Sequence, residues 1–388
     1  MAPEREIYLD NAATTRPDPS VVAAMMGALT DGFGNPSSIH GKGLSAERAV
    51  SAARAQVAAA LGVPPASVLF TSGGTEANNL GLKGAARAYG GRGRHLLASA
   101  VEHSSVLEAL RSLEAEGFTL RLLPVDRRGR LDPQALSAAL TAETALVSVM
   151  AVNNEVGTVE PLAEIAQIVR AARGGGRLPL LHVDAVQAFG RVPLPAPQID
   201  LLTVSAHKVH GPKGVGALIL REGVRIAPLL HGGDQQRALR PGTENVPGIV
   251  GFGEAAVRMQ AEGAEAVTYL YGLRAHLAAR LAMIEGIAVN GPERDDLAAP
   301  HILNVRVAGV RGETLVHRLE MDGIYVSTGS ACHSRDPRPS HVLVAMGLDR
   351  EEALSSVRIS LARTTTLGEI DAAAAALGRA ASELRVLV

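Results

Sequence analysis

Residues 201–220 read L-L-T-V-S-A-H-K-V-H-G-P-K-G-V-G-A-L-I-L, two short apolar runs around a loop that holds a serine, two histidines and two lysines. The flanks, 201–204 and 215–220, read as short buried strands. Similar runs occur outward from them, at 67–70, 95–98, 145–150 and 180–183, with helical stretches between several; 47–61 is alanine-rich with a helical pattern. Strands alternating with helices predict a mostly parallel sheet covered on both faces, with ligand sites at the carboxyl ends of the strands. Near Ala261 the pattern changes to a long alanine-rich helix, a strand near 301–307 and a closing helix from about Leu367. The chain is expected to be α/β, with a large domain over residues 15–260. Residues 1–14 and 261–388 are expected to form a smaller α/β domain that carries the loop around Cys332.

Composition narrows the function. The chain has 388 residues, 47% of them hydrophobic, enough for a large buried core. Its 38 basic and 39 acidic residues nearly cancel, so no global field draws it to nucleic acid or an anionic membrane. The start lacks the pattern of a signal peptide and no apolar run approaches the roughly 20 residues of a membrane span, so a soluble cytoplasmic protein is expected. The single cysteine, Cys332, cannot close an intrachain disulfide and is a free thiol. Only four basic residues are lysines: Lys42, Lys83, Lys208 and Lys213. Arginine cannot serve as a primary-amine nucleophile, so these four are the candidates for amine chemistry.

The motifs follow strand ends. In 205–214, a lysine beside an anion-binding turn is what an aldehyde cofactor bearing a phosphate requires, and Lys208 fits as its Schiff-base partner. A basic surface loop is the alternative, and it suits Lys213 better. L-L-H-V-D-A-V-Q, 180–187, places Asp184 where a carboxylate could keep a pyridine nitrogen protonated, and Gln187 where it could bond a phenolic oxygen; Asp184 could equally be a helix N-cap. T-S-G-G-T-E, 71–76, joins flexible amides and hydroxyls at a helix N-terminus, the form of a phosphate site, although glycine-rich turns are common. His103, in A-S-A-V-E-H-S-S, could stack on a cofactor ring, move protons or be structural. V-N-N-E-V-G, 152–157, offers amide side chains or a polar turn, and R-P-G-T-E-N, 240–245, could be an ordinary turn. S-T-G-S-A-C-H-S-R-D-P-R-P-S-H, 327–341, surrounds Cys332 with small, polar and turn-forming residues. That setting suits an accessible nucleophile with His333 or Arg335 favouring its thiolate, or an incidental exposed cysteine.

In this order, N-A-A-T-T, G-N-P-S-S-I-H, T-S-G-G-T-E-A-N-N, E-H-S-S-V, V-N-N-E-V-G, H-V-D-A-V-Q, S-A-H-K-V-H-G-P-K-G, R-P-G-T-E-N and S-A-C resemble the cysteine desulfurases, from about Leu9 to Arg363. The resemblance implies a class V aminotransferase-like, fold-type I homodimer that uses pyridoxal 5'-phosphate, with each active site at the subunit interface. It implies conversion of L-cysteine to L-alanine with a persulfide formed on Cys332. Matched by motif, Lys208 would hold the cofactor, Asp184 its ring nitrogen and Gln187 its phenolic oxygen, with His103 stacked on the ring. Gly74, Thr75, Ser205 and His207 would hold the phosphate, with Thr243 of the partner subunit. Arg358, in S-V-R-I-S, and Asn154, beside the cofactor, would bind the substrate carboxylate. S-A-C with P-S-H-V-L after it looks like the longer-loop class of the family; His333 departs from it, since a threonine or similar residue is expected there. The implied partner is a sulfur-acceptor protein, such as an iron-sulfur scaffold or a tRNA-thiolating enzyme, without direct contact to nucleic acid or membrane. Rival activities on the same fold are selenocysteine lyase and aminotransferase, and Cys332 discriminates against the second.

Overall fold

The computed structural model describes residues 6–293, 295–329 and 338–386. After an N-terminal strand, β1 (Ile7–Tyr8), one sheet is built from β2 (Val68–Thr71), β3 (His95–Ser99), β4 (Thr119–Leu123), β5 (Thr144–Met150), β6 (Leu180–Asp184), β7 (Leu201–Ser205) and β8 (Gly216–Leu220). The order across it is β2-β8-β7-β6-β5-β3-β4. β8 runs antiparallel to both of its neighbours and every other pairing is parallel, so the expected α/β class with a mostly parallel sheet is what the chain forms.

Helices on both faces explain why β5, β6 and β7 are buried along their whole length and read as mainly apolar runs. Leu69, Leu96, Leu201 and Leu218 enter one core with the helices Gly74–Tyr89 and Ser104–Glu114. Their sequence neighbours Phe70, Leu97, Leu202 and Ile219 enter the core on the opposite face, with Gly41–Leu61 and the first part of Val246–Ala282. A one-residue slip of any strand would exchange these sets, and that fixes the register.

Two departures from the sequence reading have clear causes. β4, which no apolar run announced, is an edge strand with an exposed majority, so its T-L-R-L-L lacks the signature of a buried strand. The long helix starts at Val246, well before Ala261, because Asn245 caps it by accepting from the Gly248 amide at 3.1 Å and Pro247 occupies its first turn. It breaks at Gly263, whose φ of 44° and ψ of −136° lie outside helical values.

A third core lies beyond that break. It packs the second part of the long helix and the closing helix Leu367–Arg385 on an antiparallel sheet made of β9 (Ile287–Asn290), β10 (Ile302–Val307) and, after the short β11 (Ile324–Tyr325), β12 (Ser356–Ser360). The closing helix begins at the residue expected, fixed by a capping box between Thr366 and Glu369. β1 pairs with β11, and the arm after it is laced to β12 and to the turn after β7: Asn11 Nδ2 donates to Ser360 O at 2.9 Å, and Thr15 Oγ1 donates to His207 O at 2.9 Å. The carbonyls of Ala12 and Ala13 are thereby held across the end of β7. Among the described residues no helix is long and apolar enough to cross a membrane.

Candidate active site

A cavity of about 310 Å³ opens at the carboxyl ends of the parallel strands, lined from below by residues following β2, β3, β5, β6 and β7, and closed from the far side by Ala12, Ala13, Gly329, His341 and Arg358. Lys208 stands in the single turn Ala206–Lys208 after β7. Its Nζ donates to the carbonyls of Ala12 at 2.7 Å and Ala13 at 2.6 Å. Burial, with repulsion from Arg358 and Arg191, lowers its pKa to about 7, against the pull of Asp10 and Asp184. A neutral, nucleophilic amine is therefore available near neutral pH. Lys42 and Lys213 are exposed.

Asp184 ends β6, is 5% exposed and lines the cavity. Its Oδ1 accepts from the Val186 amide at 3.0 Å, so it does stabilise a turn, as the capping alternative had it, but only one oxygen is used that way. Oδ2 accepts from Asn78 Nδ2 at 2.8 Å, and the other proton of that amide goes to Ser105 Oγ at 2.8 Å. Ser105 Oγ lies 2.8 Å from His103 Nδ1, which also accepts from the Ser105 amide at 3.1 Å. Nδ1 is thus the acceptor, and the neutral ring carries its proton on Nε2. Burial pushes the His103 pKa down, Asp184 opposes this, and Lys208 and His341 add to the fall. His103 also caps Ser104–Glu114, so its structural and cavity-facing roles coexist.

The glycine turn after β2 forms the third wall. Gly73 has φ 155° and ψ −179°, a conformation for glycine alone, and no side chain caps the helix that follows it. The first amides of Gly74–Tyr89, including those of Gly74 and Thr75 in the cavity lining, are left for a ligand. Ser205 Oγ is buried beside them without a partner among the described residues. A Cβ on Gly74 would sit 3.0 Å from Val186 Cγ2, so the turn depends on glycine for its close approach to the strand ends. His207, also in the lining, has its pKa pushed to about 4 by burial and by Lys208 and Lys213, so it faces the cavity uncharged. Glu76 ties the turn to R-P-G-T-E-N by accepting from Arg240 at 2.8 and 3.3 Å and from the Ser72 amide at 2.7 Å. These bonds hold its carboxyl below the ordinary range although burial works against them.

Arg358, on β12, reaches the cavity from the third core. Nη2 pairs with Asp10 at 2.7 Å and Nη1 donates to Asn154 O at 2.8 Å, while buried Nε has no partner among the described residues. Asn154 and Gln187 are in the lining too. Thr243 is exposed and outside the lining of its own chain's cavity. Cys332, His333 and Arg335 lie outside the described residues. Sequence reading passed over Asn78, Ser105, His301 and His341. Asn78 alone left a trace, four residues after Gly74 and so on the same helix face.

The class-V aminotransferase model matches residues 7–373. The chain is 44% identical over 369 residues to "Cysteine desulfurase IscS" of Methanosarcina thermophila, covering 95% of this chain and 90% of the relative. It is 45% identical over 384 residues to "Cysteine desulfurase" of a Nostoc species, covering 98% and 94%. Among solved structures it resembles a NifS-like protein with a TM-score of 0.91, 39% identity and coverage of 98% and 100% of the two chains. It also resembles SspA in complex with cysteine, with a TM-score of 0.79, 32% identity and coverage of 93% and 100%. The fold is that of the fold-type I pyridoxal-phosphate enzymes. On these matches, spanning nearly its whole length, the chain belongs to the cysteine desulfurase family within the class V aminotransferases.

Proposed function

We propose that this cavity is where the protein, a pyridoxal-phosphate-dependent cysteine desulfurase, takes sulfur from L-cysteine, with Lys208, Asp184 and Cys332 as its chief working groups. The observation that carries this reading is one cavity holding a lysine amine lowered to about 7, a buried carboxylate and an uncapped helix N-terminus. These suit the three functional ends of pyridoxal phosphate: aldehyde, ring nitrogen and phosphate. The partnerless Ser205 hydroxyl supports the last, because a buried hydroxyl without a bond is costly and a phosphate oxygen would relieve it.

The cofactor, when bound, supplies an electron sink for the substrate carbon. Lys208 would hold its aldehyde, then move the substrate's α proton through Nζ. Asp184, oriented by Asn78 and the Val186 amide, would keep the ring nitrogen protonated. Ser205, His207, Gly74 and Thr75 would hold the phosphate, with Thr243 of the partner subunit. Arg358 would exchange its Asp10 contact for the substrate carboxylate, beside Asn154. His103 would lie against the ring. The Cys332 thiolate would attack the substrate sulfur; a sulfur–sulfur bond forms, the carbon–sulfur bond breaks, and its electron pair stays with the substrate carbon, which is protonated to alanine.

The finer readings belong to the same proposal. Division into a large domain over 15–260 and a small one over 1–14 and 261–388 is supported by the helix break nearby at Gly263 and by the separate core beyond it. A homodimer is supported by the exposed stripe Val22, Met26, Leu29 and Phe33, too apolar to favour water. The persulfide would pass in the cytoplasm to an acceptor protein such as an iron-sulfur scaffold or a tRNA-thiolating enzyme. Two measurements test the site. Borohydride reduction of the yellow holoenzyme, followed by peptide mapping, is expected to find the cofactor on Lys208; label on Lys42, Lys83 or Lys213 rejects the assignment. Asp184→Ala is expected to weaken cofactor binding on the order of a hundredfold while the protein stays folded, because it strips a buried cation of its partner. Parental affinity and turnover in that variant would make Asp184 a turn residue only.

A further inference from the structure

We propose that His301, which lies outside the cavity lining, is a positioning residue that fixes which end of the Gln187 amide faces the cofactor. The inference rests on the pyridoxal-phosphate reading of the cavity and adds to it the residue that immediately precedes β10. Gln187 is 4% exposed and borders the cavity. A glutamine amide has a donating and an accepting end, and a rotation of half a turn exchanges them at almost no cost in shape. Two contacts remove that freedom here. Nε2 donates to Ala12 O at 2.9 Å, and Oε1 lies 3.1 Å from His301 Nε2.

A glutamine oxygen only accepts, so the bond to His301 requires the proton on ring Nε2. A neutral imidazole has one N–H, which leaves Nδ1 a bare acceptor, and that atom is buried without a partner among the described residues. A second proton would put a cation in a fully buried position facing Arg191, Arg358 and Lys208; burial first, and these charges after it, hold the His301 pKa well below its ordinary value. His301 therefore stays in one form, a donor at Nε2. Its backbone is clamped as well, since Leu361 N donates to His301 O at 2.8 Å just before β10 begins. With Oε1 turned inward and one amide proton on Ala12, the second amide proton of Gln187 is left for the cavity. Gln187 then presents only a donor, which matches an anionic ring oxygen and repels nothing. Without the His301 donor, Oε1 becomes a buried acceptor lacking a partner, and turning it toward the cavity would set it against that oxygen.

The test titrates apoprotein with pyridoxal phosphate and reads the dissociation constant, the visible absorbance maximum of the bound cofactor and the melting temperature of the apoprotein. His301→Leu is expected to weaken binding about tenfold and move the absorbance maximum. His301→Gln keeps an amide donor at similar reach and is expected to restore both. In a Gln187→Ala background, His301→Leu is expected to change the dissociation constant less than about twofold, because its target is gone. If the leucine variant does not fold, His301→Met serves the same comparison. Parental affinity and absorbance in His301→Leu, even with a lowered melting temperature, would make His301 a packing residue and overturn the proposal. So would fully multiplicative effects in the double variant. Failure of the parent protein to bind the cofactor would instead reject the cavity reading, and this inference with it.

Discussion

Cys332→Ser is expected to abolish persulfide formation and slow alanine release on the order of a thousandfold, while cofactor and cysteine binding stay at parental strength. The chain has no other cysteine, so no neighbouring thiol can take over. A serine hydroxyl stays protonated at neutral pH and is a poor nucleophile toward sulfur, whereas a thiol is already partly thiolate. The groups assigned to binding, Lys208, Asp184, Ser205 and Arg358, all line the cavity and none depends on the thiol. Gly329, three positions before Cys332 in sequence, lines the cavity. Both flanks are anchored there: Ser327 pairs through its backbone with Arg358, and His341 Nε2 lies 3.0 Å from Glu102 O. Mass spectrometry of enzyme incubated with cysteine should show one added sulfur in the parent and none in the variant, with equal absorbance changes on mixing. A serine enzyme that released alanine and sulfide at the parental rate would remove Cys332 from the mechanism.

The elements that sequence made legible are those whose signal is local. β6 and β7 are mainly apolar because both faces are covered, and each leads at once into its reactive loop, so the sequence alone places Asp184, Gln187, Ser205 and Lys208 at strand ends. Thr366 and Glu369 mark the closing helix within four residues. The residues that escaped act at long range. Asn78 meets Asp184, and His301 meets Gln187, across separations of 106 and 114 residues. Nothing in N-N-L or P-H-I states which distant atom an amide or imidazole will satisfy. Ser105 was hidden differently: in E-H-S-S-V it reads as a helix-start serine, yet its hydroxyl joins Asn78 to His103. β4 escaped because an edge strand with exposed side chains has no apolar run to show. Glu102 is the clearest case of a property only packing creates. It is fully buried, accepts from the Met150 amide at 2.5 Å, and burial with the nearby Asp184 charge raises its pKa well above the ordinary range, which favours its neutral form.

Lys208→Ala is expected to lower turnover by roughly 10²- to 10⁴-fold or more, the span typical of losing a positioned acid or base, and to prevent borohydride from fixing the cofactor to the chain. Noncovalent cofactor should still bind, because Asp184 and the uncapped helix N-terminus remain. Lys208→Arg is expected to be no better, since a guanidinium is charged at every working pH and cannot add to an aldehyde. The wild-type amine works because its surroundings discharge it. Burial is the largest influence, Arg358 and Arg191 add repulsion, and the pKa falls to about 7. The direction fixes the pH dependence. A lysine whose folded pKa is lowered is protonated below about 7 and neutral above it, so capture of the aldehyde by apoprotein should accelerate through pH 7, far below the range of an exposed lysine. Arg358→Leu removes the first of the repelling charges and should move this midpoint upward. Added methylamine should restore part of the turnover of Lys208→Ala, by supplying an amine where Nζ stood, but not that of Lys208→Arg, whose side chain fills the space. Stopped-flow absorbance across pH 6 to 10, with and without methylamine, checks each step. Capture that accelerates only near pH 10, or an alanine variant that turns over cysteine at the parental rate, would show that the reactive amine is not Lys208.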